Sequence, residues 1–211
     1  MSFESPPSDD QAAPAARLRQ PVFYYDFAGA ECYLAAERVV DALGVVPVWE
    51  PVRSTGLAGG DAAAFRCAQE RVIHQLEVER RAAAYGTQPL RWPPDWPAEY
   101  ELALRVAAYA KSIGRVVAFS LAAFRQAYAA GRDLRSSDTV LIAAAACEMH
   151  PAAVLKATEL RSVREELERA TAAAARAGVR TVPAVRVGDQ VIHGDEGLER
   201  AAAMVAKACV A

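Results

Sequence analysis

The chain has 211 residues, of which 53% are hydrophobic and 24% charged, and a formal net charge of -2. That length and apolar content suffice to bury one sizeable core, and the near-neutral balance excludes the electrostatic footprint that nucleic acid or an anionic membrane surface requires. Cys32, Cys67, Cys147 and Cys209 lie far apart with no C-x-x-C pair, so they are expected as reduced thiols of a cytoplasmic protein.

The first twenty residues begin Met-Ser-Phe-Glu-Ser-Pro-Pro-Ser-Asp-Asp. They lack a basic start and an apolar centre, so they read neither as a signal peptide nor as a membrane span, and their composition predicts a disordered tail. The apolar run Val22 to Phe27 predicts a strand, Gly29-Ala30-Glu31-Cys32 a tight turn, and Tyr33 to Leu43 an amphipathic helix. A second strand is expected over 45–51 and a loop over 53–60. Asp61 is then read as the cap of a long helix ending near Tyr85, with Phe65, Ala68, Val72 and Leu76 as its apolar face. Gly114 and Gly131 delimit two more helices, and another is expected from about Asp138 to Cys147. The capping-box pattern at Ser162 to Glu165 announces a last long helix, closed at Gly178. Thr181-Val182-Pro183-Ala184-Val185 leads into a hairpin over 186–192 turned at Gly188-Asp189, and a helix begins after Gly194. Each end is short of strands when taken alone, and a two-stranded piece is marginal by itself. Residues 21–59 and 179–211 are therefore expected to form one unit, with 60–178 as a helical insertion.

On these residues the chain resembles the thioredoxin-fold superfamily that contains DsbA-type disulfide oxidoreductases, 2-hydroxychromene-2-carboxylate isomerases and kappa-class glutathione transferases. The resemblance implies an α/β, thioredoxin-like fold with a large all-helical insertion. In that superfamily the strand-to-helix turn carries Cys-x-x-Cys in the oxidoreductases and Ser-Pro-Tyr-Ser or a variant in the isomerase branch. Aligned on Asp26-Phe27 and Tyr33-Leu34-Ala35, this chain places Gly29 at the reactive first position and Cys32 at the second. The first turn of a helix offers unpaired amides and a positive dipole end that stabilise a thiolate, and glycine brings no group to ionise there. Residues 89–97, Pro-Leu-Arg-Trp-Pro-Pro-Asp-Trp-Pro, resemble the isomerase-branch segment that borders the substrate cleft, and Glu77-Val-Glu-Arg80 resembles that branch's Asp-Leu-x-Arg. The resemblance further implies a cis Val182-Pro183 bond, backbone of Val182 offered to an extended thiol peptide, glutathione as ligand, and a homodimer. The glutathione amino end would meet an acid at Asp195 or Glu196, although the arginine that follows in the family is Gly197 here.

Several residues carry two readings. Cys32 is either a packed, inert thiol or a lone exchanging one. Trp92 and Trp96 either line a substrate cleft or cover the joint between insertion and sheet. Asp195 is either a helix cap or a ligand anchor. His74 reads as a helix-face residue and His150 as a cap before Pro151. His193 has no second His or Cys at ligand spacing, so no metal is expected. If the site is active, amides at Ala30, Glu31 and Cys32 would bind a ligand thiolate beside Gly29, and Glu31 would act as acid or base. Three functions remain open: a glutathione-dependent small-molecule isomerase or transferase, a thiol-disulfide oxidoreductase working through Cys32, and a catalytically inactive thioredoxin-fold binding protein.

Overall fold

The computed structural model describes residues 20–60, 65 and 67–210. All but Gln20 of the disordered tail expected over 1–20, the Asp61 cap and the side chain of Cys209 lie outside the described residues. Strand β1 (Val22–Tyr25) is buried along its whole length, because it is the inner strand on which the two chain ends meet. It pairs in parallel with β2 (Val48–Pro51) and antiparallel with β3 (Ala184–Val187). The hairpin partner β4 (Gln190–His193) completes the order β2-β1-β3-β4. A strand covered on both faces reads as a continuous apolar run, not as an alternation, and Val-Phe-Tyr-Tyr is such a run.

Helix α1 (Ala30–Leu43) leaves β1 through the Gly29 turn and stops at Gly44, whose φ of 65° is the left-handed conformation that ends helices. The helical segment then comprises α2 (Ala68–Ala84), α3 (Glu101–Ser112), α4 (Val116–Phe124), α5 (Ser137–Ala145), α6 (Pro151–Glu159) and α7 (Arg161–Arg176). After the β3–β4 hairpin, a 3-10 turn (Asp195–Gly197) opens into α8 (Leu198–Val210).

Side chains alternate across β1, and each face buries into its own cluster. Phe23 and Tyr25 join Trp49, Leu34, Phe119, Phe124, Tyr128 and Leu167 in one core shared by the sheet, α1 and the helical segment. Val22 and Tyr24 pack on the other face with Val52, Leu57, Ala174 and Val179. The Tyr25 hydroxyl meets Ser120 Oγ at 2.5 Å inside the larger core, so the polar atom it takes out of water keeps a partner.

Two local expectations change. Val72 and Leu76 do not form the buried face of α2: they are 49% and 60% exposed, and the residues turned inward are Val78 and Ala82. The apolar spacing was real, but the inward face is set by what the helix meets, which is α1 and the polar cleft described below. Ser162 is not a cap, because α7 begins one residue earlier behind Leu160. His150 does cap α6, its Nδ1 accepting the Ala152 amide at 3.2 Å.

Candidate active site

Asp26, immediately after β1, is buried, and its two carboxylate oxygens accept the amides of Ala28 at 3.0 Å and Ser54 at 2.8 Å. Burial pushes its carboxyl upward in spite of those bonds. The next carbonyls are held from the helical segment: Tyr128 Oη donates to Phe27 O at 2.8 Å and to Ala28 O at 2.9 Å, and Trp96 Nε1 donates to Ala28 O at 2.9 Å. The turn is therefore fixed by β2's exit loop on one side and by two aromatic donors on the other. Gly29 caps α1 in ordinary extended backbone, φ -91° and ψ 120°, with no side-chain cap.

Cys32 is fully buried beneath this turn, and burial pushes its thiol well above the ordinary range. Its amide donates to Gly29 O at 3.1 Å, so it is not free to bind a ligand thiolate. Ala30 is buried behind the turn. The anion-binding row of amides expected from the sequence is thus interrupted.

Facing the turn is the Val182-Pro183 bond, which is cis; the Pro183 carbonyl accepts the Gly194 amide at 2.8 Å. Between them opens a cleft of about 250 Å³, bordered by Gly29, Glu31, Trp96, Val182, Pro183 and Asp195 together with Asp26, Phe65, His74 and Arg81. Four of these are charged or titratable partners of one another. Arg81 Nη1 donates to Asp195 Oδ1 at 2.5 Å and Nη2 reaches Glu31 Oε1 at 3.4 Å. His74 Nε2 meets the same Glu31 oxygen at 3.0 Å.

Burial would raise the Glu31 carboxyl, but the His74 hydrogen bond and the charges of His74 and Arg81 outweigh it and hold it below the usual carboxylate range. The same hydrogen bond raises the His74 imidazole. Asp195 is 1% exposed, and burial pushes its carboxyl up against the pull of Arg81. Among the described residues its Oδ2 has no hydrogen-bond partner, although the Tyr85 hydroxyl lies close enough to bear on its ionisation. A buried, half-satisfied carboxylate at the wall of a cleft is costly without a ligand.

Six sequence-predicted site residues thus share the cleft: Gly29, Glu31, Trp96, Val182, Pro183 and Asp195. Trp92 does not border it; it packs behind Trp96 at 4.4 Å between ring centroids and donates to Glu79 at 2.6 Å. Glu196 is exposed and stands outside the cleft, which leaves Asp195 as the inward acid of the pair. Asp195 is no helix cap, since Gly194 holds that position and no side-chain cap bond forms. Glu31 is not a free acid or base, being engaged by Arg81 and by the imidazole of His74. Sequence reasoning missed Asp26, Phe65, His74 and Arg81. The signal for the last two was present: they are seven residues apart, two turns along one face of α2. Arg80, singled out by its motif, is exposed. Among the described residues no three His, Cys, Asp or Glu side chains converge as a metal site would require, and no helix is long and apolar enough to cross a membrane.

A four-stranded sheet of this order, a helix starting at its first strand and a cis proline facing that helix start define a thioredoxin-like fold. Residues 22–206 match the model of the DSBA-like thioredoxin domain, and the chain belongs to that family. Among solved structures, a 2-hydroxychromene-2-carboxylate isomerase superimposes with a TM-score of 0.78 at 16% identity, covering 90% of this chain and 95% of that one. A probable DsbA oxidoreductase from Streptomyces coelicolor gives 0.74 at 20% identity, over 89% and 90% of the two chains. The cytosolic disulfide reductase DsbM from Pseudomonas aeruginosa, solved with GSH, gives 0.62 at 15% identity over 90% and 98%. At these identities the likeness establishes the fold. No curated protein sequence matches the chain significantly.

Proposed function

We propose that this protein binds a short thiol-containing peptide, with glutathione as the leading candidate, and acts on it as an isomerase- or transferase-type enzyme, not as a disulfide exchanger. The observation that carries this reading is the turn itself: its one thiol, Cys32, is fully buried, and the position above it is a glycine facing an open cleft. Disulfide exchange needs an accessible thiolate to attack and a second thiol to resolve the mixed disulfide, and only the inner partner is present. The far end of the cleft supports a peptide ligand. An ammonium group at the Asp195 end of the cleft would meet a carboxylate whose Oδ2 is enclosed and lacks a hydrogen bond among the described residues, and a small turn of that side chain would let the amino end of glutathione supply it. The DsbM neighbour solved with GSH supports that ligand, and the isomerase neighbour supports the enzyme type. A homodimer and a cytoplasmic location belong to this proposal. A purely binding protein is the second reading, favoured by the engagement of Glu31 in ion pairs.

The test pairs titration calorimetry with a redox assay. The expected result is that glutathione binds, that insulin disulfides are not reduced, and that Cys32→Ala alters neither outcome. Rapid insulin reduction abolished by Cys32→Ala would overturn the reading in favour of the oxidoreductase. Loss of glutathione binding on Asp195→Asn would tie the amino end to that oxygen.

A further inference from the structure

We propose that His74, oriented by Glu31, accepts the proton of the ligand's thiol and so replaces the activating side chain missing at position 29. This rests on the thiol-peptide reading of the cleft. His74 Nε2 is fixed on Glu31 Oε1 at 3.0 Å, whereas Nδ1 makes no hydrogen bond to any described residue. The ring lies against Trp96, 5.9 Å away and nearly parallel at 14°, and against Phe65 at 5.1 Å, so its plane is set by packing. It borders the same cleft as Gly29 and Pro183. Behind it, Arg81 grips Glu31 and Asp195 together, which keeps the orienting carboxylate in place. A base held by a third group in this way is the arrangement that activates nucleophiles elsewhere; here the nucleophile would arrive with the ligand.

The proton balance is simple. The S–H bond breaks, an N–H bond forms at Nδ1, and sulfur keeps the electron pair. The product is a thiolate facing an imidazolium whose other nitrogen donates to the Glu31 carboxylate. No electrons leave or enter, so no oxidant or reductant takes part. The charged groups bearing on the imidazole are Glu31 from α1 and Arg81 and Glu77 from α2. The two carboxylates outnumber the one cation and favour the protonated ring.

The experiment follows the ultraviolet thiolate absorbance of bound glutathione against pH, with S-methylglutathione, which has no thiol proton, as the control ligand. The bound thiol is expected to ionise about one pH unit or more below the roughly 8.5 of a free thiol. His74→Gln should return the midpoint to the free value and flatten the pH dependence of the glutathione to S-methylglutathione affinity ratio. A second measurement needs no variant. The chain has three histidines, so nitrogen NMR can follow the charge state of His74 directly. At a pH where the free imidazole is neutral, glutathione should protonate it and S-methylglutathione should not. A bound thiol with an ordinary midpoint, or a histidine whose charge state glutathione leaves unchanged, overturns this proposal alone. Failure of the wild-type protein to bind either ligand overturns the thiol-peptide reading and this proposal with it.

Discussion

Gly29 sits in backbone that any residue adopts, and the Cβ it lacks would stand 3.8 Å from Cys32 Cβ, a separation close to the mean of about 3.8 Å across a disulfide. The same Cβ would come within 3.2 Å of Cys32 Sγ, a tight contact for non-bonded atoms that bond formation relieves. Gly29→Cys is therefore expected to fold, to close a 29 to 32 disulfide under mild oxidation, and to acquire insulin reductase activity. Thiol titration and the assay read both. A folded variant with two persistent free thiols would show that the turn differs from an exchanging one. The Glu31–His74 pair makes a separate expectation. His74 is raised above its ordinary 6.5, so its share of the pair's stability is complete below that pH and lost as pH rises through the folded value; Glu31 is lowered, so its share is complete above 4.5 and lost as pH falls through its own folded value. The deficit of Glu31→Gln against wild type in urea unfolding should thus be widest between those values and shrink as pH rises through the raised folded value of His74, where the imidazole loses its charge and keeps only a neutral hydrogen bond to Glu31. A deficit independent of pH would refute the pair.

Helix α2 shows which elements the sequence could and could not disclose. β1, α1 and the hairpin were legible because each has a strong pattern bounded by glycine. The cis proline was legible through the resemblance carried by Thr181-Val182-Pro183, and the acid only as a choice between Asp195 and Glu196. Trp96 was legible as a cleft residue only as one of two readings. α2 was misread because an amphipathic pattern says that a helix has two faces without saying which neighbour each one meets. Here the inner face carries His74, Val78, Arg81 and Ala82, a mixed row that hydropathy does not single out. Leu76→Gln is therefore expected to change stability by less than about 0.5 kcal/mol, while Val78→Ala should cost about 1 to 3 kcal/mol. Denaturant titration of the two variants checks the orientation, and the reverse ranking would mean that the helix is turned over.

The larger core takes side chains from both chain ends and from the helical segment between them, and the polar ties run the same way. Lys111 of α3 holds Glu50 of β2 at 2.6 Å, and Arg53 beyond β2 makes paired bonds to Glu101 of α3 at 2.7 and 2.6 Å. Neither part keeps a complete apolar interior without the other. Unfolding is accordingly expected as one cooperative transition, with far-ultraviolet and near-ultraviolet circular dichroism coinciding in denaturant. Separated transitions would show that the insertion is stable by itself.

The ordinary backbone of Gly29 also bears on how such a protein arises. Because no left-handed angle demands glycine there, and because a bond to Cys32 would relieve the one tight contact a new Cβ makes, a cysteine is the side chain that the position can take most readily. The step between a turn that exchanges disulfides and one that does not is then a single mutation that the scaffold tolerates in either direction. A glycine at 29 also removes a side reaction: a disulfide between residues 29 and 32 would be attacked by the thiolate of a bound thiol ligand, which would then be held as a mixed disulfide while the other cysteine left as a thiol.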